Sequence, residues 1–232
     1  MTTAPRLAFE RLVGGYGEAD VVRDVSGAVA PGEVLCVIGR NGVGKSTLLK
    51  MLFGLLGCRA GRVSFEGRAL DGLDATARRA LGISYCPQER LVFDDLTVRD
   101  NLTLMRPARS VDAFAPYFER FPVLGRRLAQ LAGTLSGGEK KMLSFVRGLS
   151  ERQPLALLDE PSEGVQWENI VHMAELLDAA RGDGRAFVVV EQNLAFAERI
   201  ADRYLVIEQG RVALAGRRDE VDRDRLLAHL QV

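Results

Sequence analysis

The chain has 232 residues, 47% of them hydrophobic, enough to bury a substantial core as one large domain or two small ones. Its 31 basic and 31 acidic residues cancel, so no electrostatic footprint points to nucleic acid or to an anionic membrane surface. No stretch approaches the roughly 20 apolar residues that cross a bilayer, and the start MTTAPRLAFERL lacks the apolar block of a signal peptide, so membrane association is expected only through a partner.

Residues 7–13 (LAFERLV) alternate apolar and polar as a half-buried strand does, and 21–29 (VVRDVSGAV) repeat the pattern before the turn Pro31–Gly32. The opening therefore reads as antiparallel β. VLCVIG at 34–39 is a continuous apolar run, as expected of a strand covered on both faces, and it leads through a glycine-rich loop into the helical stretch STLLKMLFGLL. Strand-and-turn chemistry returns at 61–70, and LGISYCPQ at 81–88 reads as a second buried strand. From about 89 to 134, amphipathic helical pieces carry Phe93, Phe114, Tyr117, Phe118 and Phe121, punctuated by Pro107, Pro116 and Pro122, which predicts an inserted helical subdomain. Beyond it come a helix at 137–150, a buried strand LALLDE at 155–160, a helix at 168–181, a strand AFVVVE at 186–191, a short helix at 194–201 and a hairpin, YLVIEQGRVALAG, turning at Gly210. Strand alternating with helix predicts an α/β fold on a mainly parallel sheet, residues 1–232 forming one domain. Cys36, Cys58 and Cys86 are an odd number without CxxC spacing and are expected as buried reduced thiols, which fits a reducing cytosol.

The octapeptide Gly39-Arg40-Asn41-Gly42-Val43-Gly44-Lys45-Ser46 fits the phosphate-loop pattern GxxxxGK[ST] and lies between a predicted strand and a predicted helix, the context that pattern requires. Glycines let consecutive N–H groups turn inward around a β-phosphate, the helix N-terminus beginning at Ser46 and Thr47 adds its positive end, and Lys45 neutralises β/γ oxygens. Ser46 is then placed to coordinate Mg²⁺. The strand LALLDE delivers Asp159 and Glu160 to the carboxyl edge of the sheet, where ligands of open α/β sheets bind. Asp159 is suited to hold Mg²⁺ through water, and Glu160 to orient and deprotonate an attacking water. In LSGGE, Ser136 and Glu139 form a capping box for a helix with an apolar face, and Gly137 and Gly138 leave N–H groups open, so the same turn is a second anion site. One ATP needs one phosphate loop; a second phosphate-seeking helix points to a nucleotide held by another subunit.

GRNGVGKS, Gln88 after a strand, LSGGE and LLDEPSEG, in that order and spacing, resemble the nucleotide-binding domain of ATP-binding cassette (ABC) proteins across almost the whole chain. The resemblance implies a phosphate-loop NTPase with a RecA-like mainly parallel core, an N-terminal antiparallel β subdomain and an inserted helical subdomain. It implies that two such domains pair head to tail, each ATP lying between one partner's phosphate loop and the other's LSGGE. Binding closes the dimer and hydrolysis reopens it, driving two membrane-spanning permease subunits between inward- and outward-facing states. Carried over by position, Tyr16 looks like the aromatic that stacks on adenine, and Gln88 like the residue that contacts Mg²⁺ and reports the γ-phosphate to the helical subdomain. Ser136, Gly137, Gly138 and Glu139 would act in trans.

Where the family places a histidine on the γ-phosphate, this chain has Glu191-Gln192-Asn193, so Gln192 fills the switch position; its amide can donate to phosphate but cannot become cationic. His172 and His229 lie on predicted helices and are expected at the solvated surface. The family's SALD reads Glu163-Gly164-Val165-Gln166 here, without the aspartate, and Lys140 and Lys141 replace common glutamines with no reason beyond an exposed helix face. VEQN together with SEG is similar to one ATPase subunit of branched-chain amino-acid and urea or short-amide importers, and Pro87-Gln88-Glu89-Arg90 with Glu163–Gln166 looks nearer the urea/amide branch. Such importers use two unlike ATPases, two membrane subunits and a periplasmic binding protein, which would put this chain on the cytoplasmic face of the inner membrane as half of a heterodimer. The few residues after the hairpin predict no regulatory domain. A nucleic-acid or translation ATPase with the same cassette is the rival class, but no coiled-coil insertion, second cassette or basic tract is present. A cassette that binds without hydrolysing is a third reading, which the intact Glu160 disfavours.

Overall fold

The computed structural model describes residues 4–89, 91–104, 106 and 108–230; Arg90 of the PQER tetrapeptide and Pro107 lie outside the described residues. Two sheets organise the chain. Strands β1 (Leu7–Gly14), β2 (Val22–Val29), β4 (Ala60–Phe65) and β5 (Arg68–Ala69) form an antiparallel sheet in the order β2-β1-β4-β5. The alternation read at residues 7–13 is interrupted at Arg11, whose φ of 48° produces a bulge that shifts the register against both neighbours.

The second sheet is built on β3 (Val34–Ile38), with β8 (Ala186–Glu191) on one side and β9 (Arg203–Glu208) on the other, both parallel to it. Strands β7 (Leu155–Asp159) and β6 (Ile83–Cys86) extend it in parallel, and β10 (Arg211–Arg217) closes the opposite edge antiparallel to β9. Successive residues of β3 enter two different cores: Val34, Cys36 and Ile38 face one, Leu35 and Val37 the other. The strand is therefore apolar at every position, because period-two alternation has a hydrophobic layer on each side.

Helix α1 (Lys45–Phe53) packs its leucines into the core shared with the antiparallel sheet and stops at Gly54, whose φ of 85° is the left-handed cap. Helix α2 (Ala75–Leu81) is an element the sequence reading does not assign; it starts at the cap Asp74, takes Leu81 out of the expected strand and ends at Gly82. Its buried residue is Arg78, whose guanidinium donates to the carbonyls of Met51, Leu52, Leu70 and Leu73 at 2.9–3.1 Å, tying α1 to α2. The region 89–134 supplies short helices α3 (Val98–Thr103), α4 (Ala115–Arg120) and α5 (Pro122–Arg126), gathered around the fully buried rings of Phe114 and Phe121. Of these, α3 and α5 pack on α6 (Gly137–Ser150), and α4 packs on α5. Helices α7 (Trp167–Gly182) and α8 (Leu194–Ile200) cover the same face of the parallel sheet, and α9 (Arg223–Ala228), the helix expected at His229, follows the hairpin behind its cap Asp222 and ends just before that histidine. Among the described residues no helix is long and apolar enough to cross a membrane.

Two expectations about side chains change. Cys36 and Cys86 are buried, but Cys58 is exposed, because it sits on the loop between α1 and β4 outside both cores. The histidines are half-buried rather than solvated: His172 sets its ring edge-on to Phe121, and the ring nitrogen Nδ1 of His229 lies 2.7 Å from Glu208.

Candidate active site

The carboxyl ends of β3, β8 and β7 lie side by side, so the loops that follow them meet at one edge. The loop after β3 holds the phosphate pattern. A Cβ on Gly39 would come within 2.4 Å of the Ile207 carbonyl oxygen, and Gly44, with φ of 108°, caps α1 against Val21. Both positions need glycine for the loop to close onto the helix N-terminus. Lys45 is buried, its Nζ donating to the carbonyls of Gly39 and Arg40 at 2.8 and 2.9 Å and standing 3.5 Å from Glu160 Oε1. Burial pushes its ammonium below the ordinary value, and the Glu160 carboxylate opposes that shift most strongly.

Ser46, the next residue, donates its hydroxyl to Asp159 Oδ1 at 2.9 Å, and the Tyr85 hydroxyl donates to Oδ2 at 3.1 Å. Burial raises the Asp159 carboxyl, and those two hydrogen bonds resist the rise. Among the described residues no group of three or more histidines, cysteines or carboxylates forms a metal cage. A hard oxygen pair from Ser46 and Asp159 is a partial shell of the kind Mg²⁺ completes with water and substrate phosphate, so the donors present fit that ion.

Glu160 has φ of 48°, a left-handed conformation uncommon outside glycine, and its amide donates to Val190 O at 3.0 Å. Its carboxylate is buried and met by an amide on each oxygen: Gln192 Nε2 donates to Oε1 at 2.7 Å and Gln88 Nε2 to Oε2 at 2.9 Å. Gln192 also donates to the Asn41 side chain, linking the switch position to the phosphate loop. The structure thus brings Lys45, Gln88, Glu160 and Gln192 together. Gln88 spends its amide on Glu160 and on Glu163, 3.2 Å away, rather than on the Ser46–Asp159 pair.

Tyr16 is 49% exposed, and Lys50 Nζ lies 3.1 Å from its hydroxyl and 5.7 Å from the ring centroid, at the hydroxyl end of the ring. Ser136 caps α6 as a full capping box: Glu139 N donates to Ser136 Oγ at 3.3 Å and Ser136 N to Glu139 Oε2 at 2.9 Å. Ser136, Gly137, Gly138 and Glu139 line a groove of about 860 Å³ with Glu163, Gly164 and Gln166, and no phosphate-loop residue lines it. A Cβ on Gly138 would stand 2.8 Å from Gly164 O, which fixes how closely α6 approaches the DEPSEG turn.

Three residues of the site escape the sequence reading. Lys141 is not on an exposed face: it is 7% exposed, and its Nζ donates to the Glu160 carbonyl at 2.9 Å and to Glu163 Oε2 at 3.3 Å. Lys140 pairs with Asp94. Tyr85, on β6, completes the surroundings of Asp159. Glu191, at the end of β8, is buried and accepts the backbone N–H groups of Ser162, Gln192 and Asn193 at 3.0–3.2 Å, clamping the turns after β7 and β8 together. Its signal was the one that identified Asp159 and Glu160, a carboxylate closing an apolar strand at the ligand edge.

Burial pushes the Glu191 carboxyl up to about 7 against those three hydrogen bonds. A carboxyl whose folded pKa lies above its ordinary 4.5 binds its proton more tightly in the folded chain, so its contribution is fully present below that value and lost as pH rises through about 7. Between those limits this group is expected to cost about 1.4 kcal/mol of stability per pH unit. Denaturant unfolding of Glu191→Gln at pH 5, 6, 7 and 8 should show that slope removed; a variant keeping the wild-type slope would assign it elsewhere.

The protein-family model for the ABC transporter matches residues 22–163, more than half of the chain. The chain belongs to the ABC transporter ATPase family. This ABC ATPase is 37% identical over 212 residues to the high-affinity branched-chain amino acid transport ATP-binding protein BraG of Pseudomonas aeruginosa, covering 90% of this chain and 91% of that protein. It is 33% identical over 216 residues to a probable branched-chain amino acid transport ATP-binding protein, LivF, of Archaeoglobus fulgidus, covering 91% and 92%. It is also 28% identical to the lipopolysaccharide export system ATP-binding protein LptB of Escherichia coli K12, over 94% of this chain and 93% of that one. A solved ATP-binding subunit of an ABC transporter superposes with a TM-score of 0.84 at 29% identity, covering 97% and 98%. The subunit is an ATP-binding, ATP-hydrolysing transport ATPase with the mixed fold of that family, an antiparallel N-terminal sheet beside a parallel core.

Proposed function

We propose that this ABC ATPase powers an importer of branched-chain amino acids or of urea and short amides, as one of two unlike ATPase subunits on the cytoplasmic face of the inner membrane. The convergence of Lys45, Gln88 and Gln192 on the Glu160 carboxylate, beside the Ser46–Asp159 pair, carries the hydrolytic part of this reading. ATP places its phosphates in the Gly39–Thr47 loop and its adenine on Tyr16. Lys45 exchanges carbonyl partners for phosphate oxygens. Glu160 orients a water and takes its proton as the water oxygen bonds to the γ-phosphorus; the bond from that phosphorus to the β–γ bridging oxygen breaks, and ADP leaves with the electron pair. Ser46 and Asp159 would hold Mg²⁺ beside the nucleotide, where the ion would supply neutralisation of phosphate charge. Gln88 senses the γ-phosphate through Glu160, and Gln192 replaces the cationic switch by a neutral amide donor.

Ser136, Gly137, Gly138 and Glu139 serve the nucleotide of the second ATPase in a head-to-tail dimer, while two permease subunits carry the solute delivered by a periplasmic binding protein. The relatives BraG and LivF support the amino-acid arm, and the Glu163–Gln166 turn supports the urea/amide arm. The affinity-tagged chain, purified from detergent-solubilised membranes of cells that carry its own neighbouring genes, should retain a second ATPase and two multispanning subunits. Proteoliposomes of that complex, given its binding protein, should take up labelled leucine or labelled urea and acetamide with ATP. Recovery without membrane subunits would refute the transport role, and ATP-driven uptake of neither solute class would refute the solute assignment.

A further inference from the structure

Lysine is scarce in this chain, which uses it at Lys45, Lys50, Lys140 and Lys141. Three of these have plain surroundings: the phosphate loop, the Tyr16 ring and a surface pair with Asp94. Lys141, in the second turn of α6, is the one whose burial needs a reason. An ammonium removed from water costs several kcal/mol unless its protons find acceptors, and here two acceptors come from a single turn. The first is the backbone carbonyl of Glu160; the second is the carboxylate of Glu163, which is itself half exposed.

Glu160 is held at φ of 48°, which for a residue with a Cβ costs roughly 1–2 kcal/mol. Its peptide is fixed on both sides, by Val190 O on its amide and Lys141 on its carbonyl. A ring then closes through side chains: Gln88 Nε2 donates to Glu160 Oε2 at 2.9 Å and to Glu163 Oε2 at 3.2 Å, and Glu163 returns to Lys141. The Glu163 carboxyl is held below the usual range, first by the Gln88 amide and then by the Lys141 charge.

From this geometry we infer that Lys141 is a positioning residue for hydrolysis: it locks the Glu160 peptide in the left-handed conformation that aims its carboxylate at Lys45. Through Glu163 and Gln88 it couples that carboxylate to the N-terminal turns of α6. The inference rests on the hydrolytic role proposed for Glu160. It also gives the DEPSEG turn a function in this chain: Glu163 is the counter-charge that allows the lysine to be buried.

The test uses the full chain in its purified complex and compares wild type, Glu160→Gln, Lys141→Met, Glu163→Gln and the Lys141→Met/Glu163→Gln pair. Lys141→Met should lower kcat about fivefold or more, the loss of one well-placed charge-assisted hydrogen bond, with the KM for ATP and the thermal midpoint close to wild type. Glu163→Gln should reproduce part of that loss, and the double variant should be no slower than Lys141→Met alone, because both break one ring. If Lys141→Met fails to fold, Glu163→Gln, at an exposed residue, carries the same kcat-against-KM test. Wild-type turnover in Lys141→Met beside an inactive Glu160→Gln would overturn the role of Lys141 only, as would losses that multiply in the pair. Wild-type turnover in Glu160→Gln would overturn both the positioning role and the base it serves.

Discussion

Lys45→Ala is expected to weaken ATP binding at this chain's own site by about 100-fold or more while leaving the fold intact. The residue is almost wholly buried, so its charge acts in a poorly screened environment, and two charge-assisted hydrogen bonds to phosphate oxygens are worth about 3 kcal/mol. Alanine removes the ammonium without disturbing the glycines that shape the loop or the apolar residues that anchor α1 in the core. Titration with a fluorescent ATP analogue checks the affinity, and the thermal midpoint checks the fold. A dissociation constant within threefold of wild type would mean that the backbone cradle alone holds the nucleotide.

Glu160→Gln is expected to lower ATP turnover in the assembled complex at least tenfold and by as much as about 10²–10⁴-fold, the usual value of a general base. The amide keeps the volume of the side chain and can still accept from either Gln88 or Gln192, so nucleotide affinity should change little. That separation distinguishes proton transfer from architecture. Single-turnover phosphate release, with ATP affinity measured on the same preparation, is the appropriate assay. Equal turnover in the variant would remove Glu160 as the base.

Much of this could be read before the structure, where local chemistry alone dictates conformation. The phosphate loop was legible because its glycines answer backbone demands at fixed offsets. Helix α6 was legible because Ser136 and Glu139 announce its first turn, and β3, β7 and β8 because strands between two cores are apolar throughout. The main element missed, α2, is one whose buried residue is charged. Helix α2 hides Arg78 rather than a leucine, so it carries no apolar stripe; only the carbonyls of Met51, Leu52, Leu70 and Leu73, spread over two other segments, explain why arginine is there. Lys141 misled for the same reason, its acceptors lying about 20 positions away in sequence, on the turn after β7. Cys58 was misplaced although its neighbours Gly57, Arg59 and Gly61 have the composition of a connecting loop, unlike the apolar run around Cys36.

That loop position has a practical consequence. Cys36 and Cys86 are enclosed, with burial pushing the Cys36 thiol well above its ordinary value and the Cys86 thiol up to about 12, whereas Cys58 is exposed on its loop although partial burial raises its thiol as well. Alkylation requires access and a thiolate, so a maleimide dye added to the native chain reacts at one position. The site lies beside the start of β4, on the antiparallel sheet. A fluorophore there serves as an inbuilt ruler: energy transfer to a second dye on the opposing ATPase would follow dimer closing and reopening turnover by turnover, without a single substitution in this subunit.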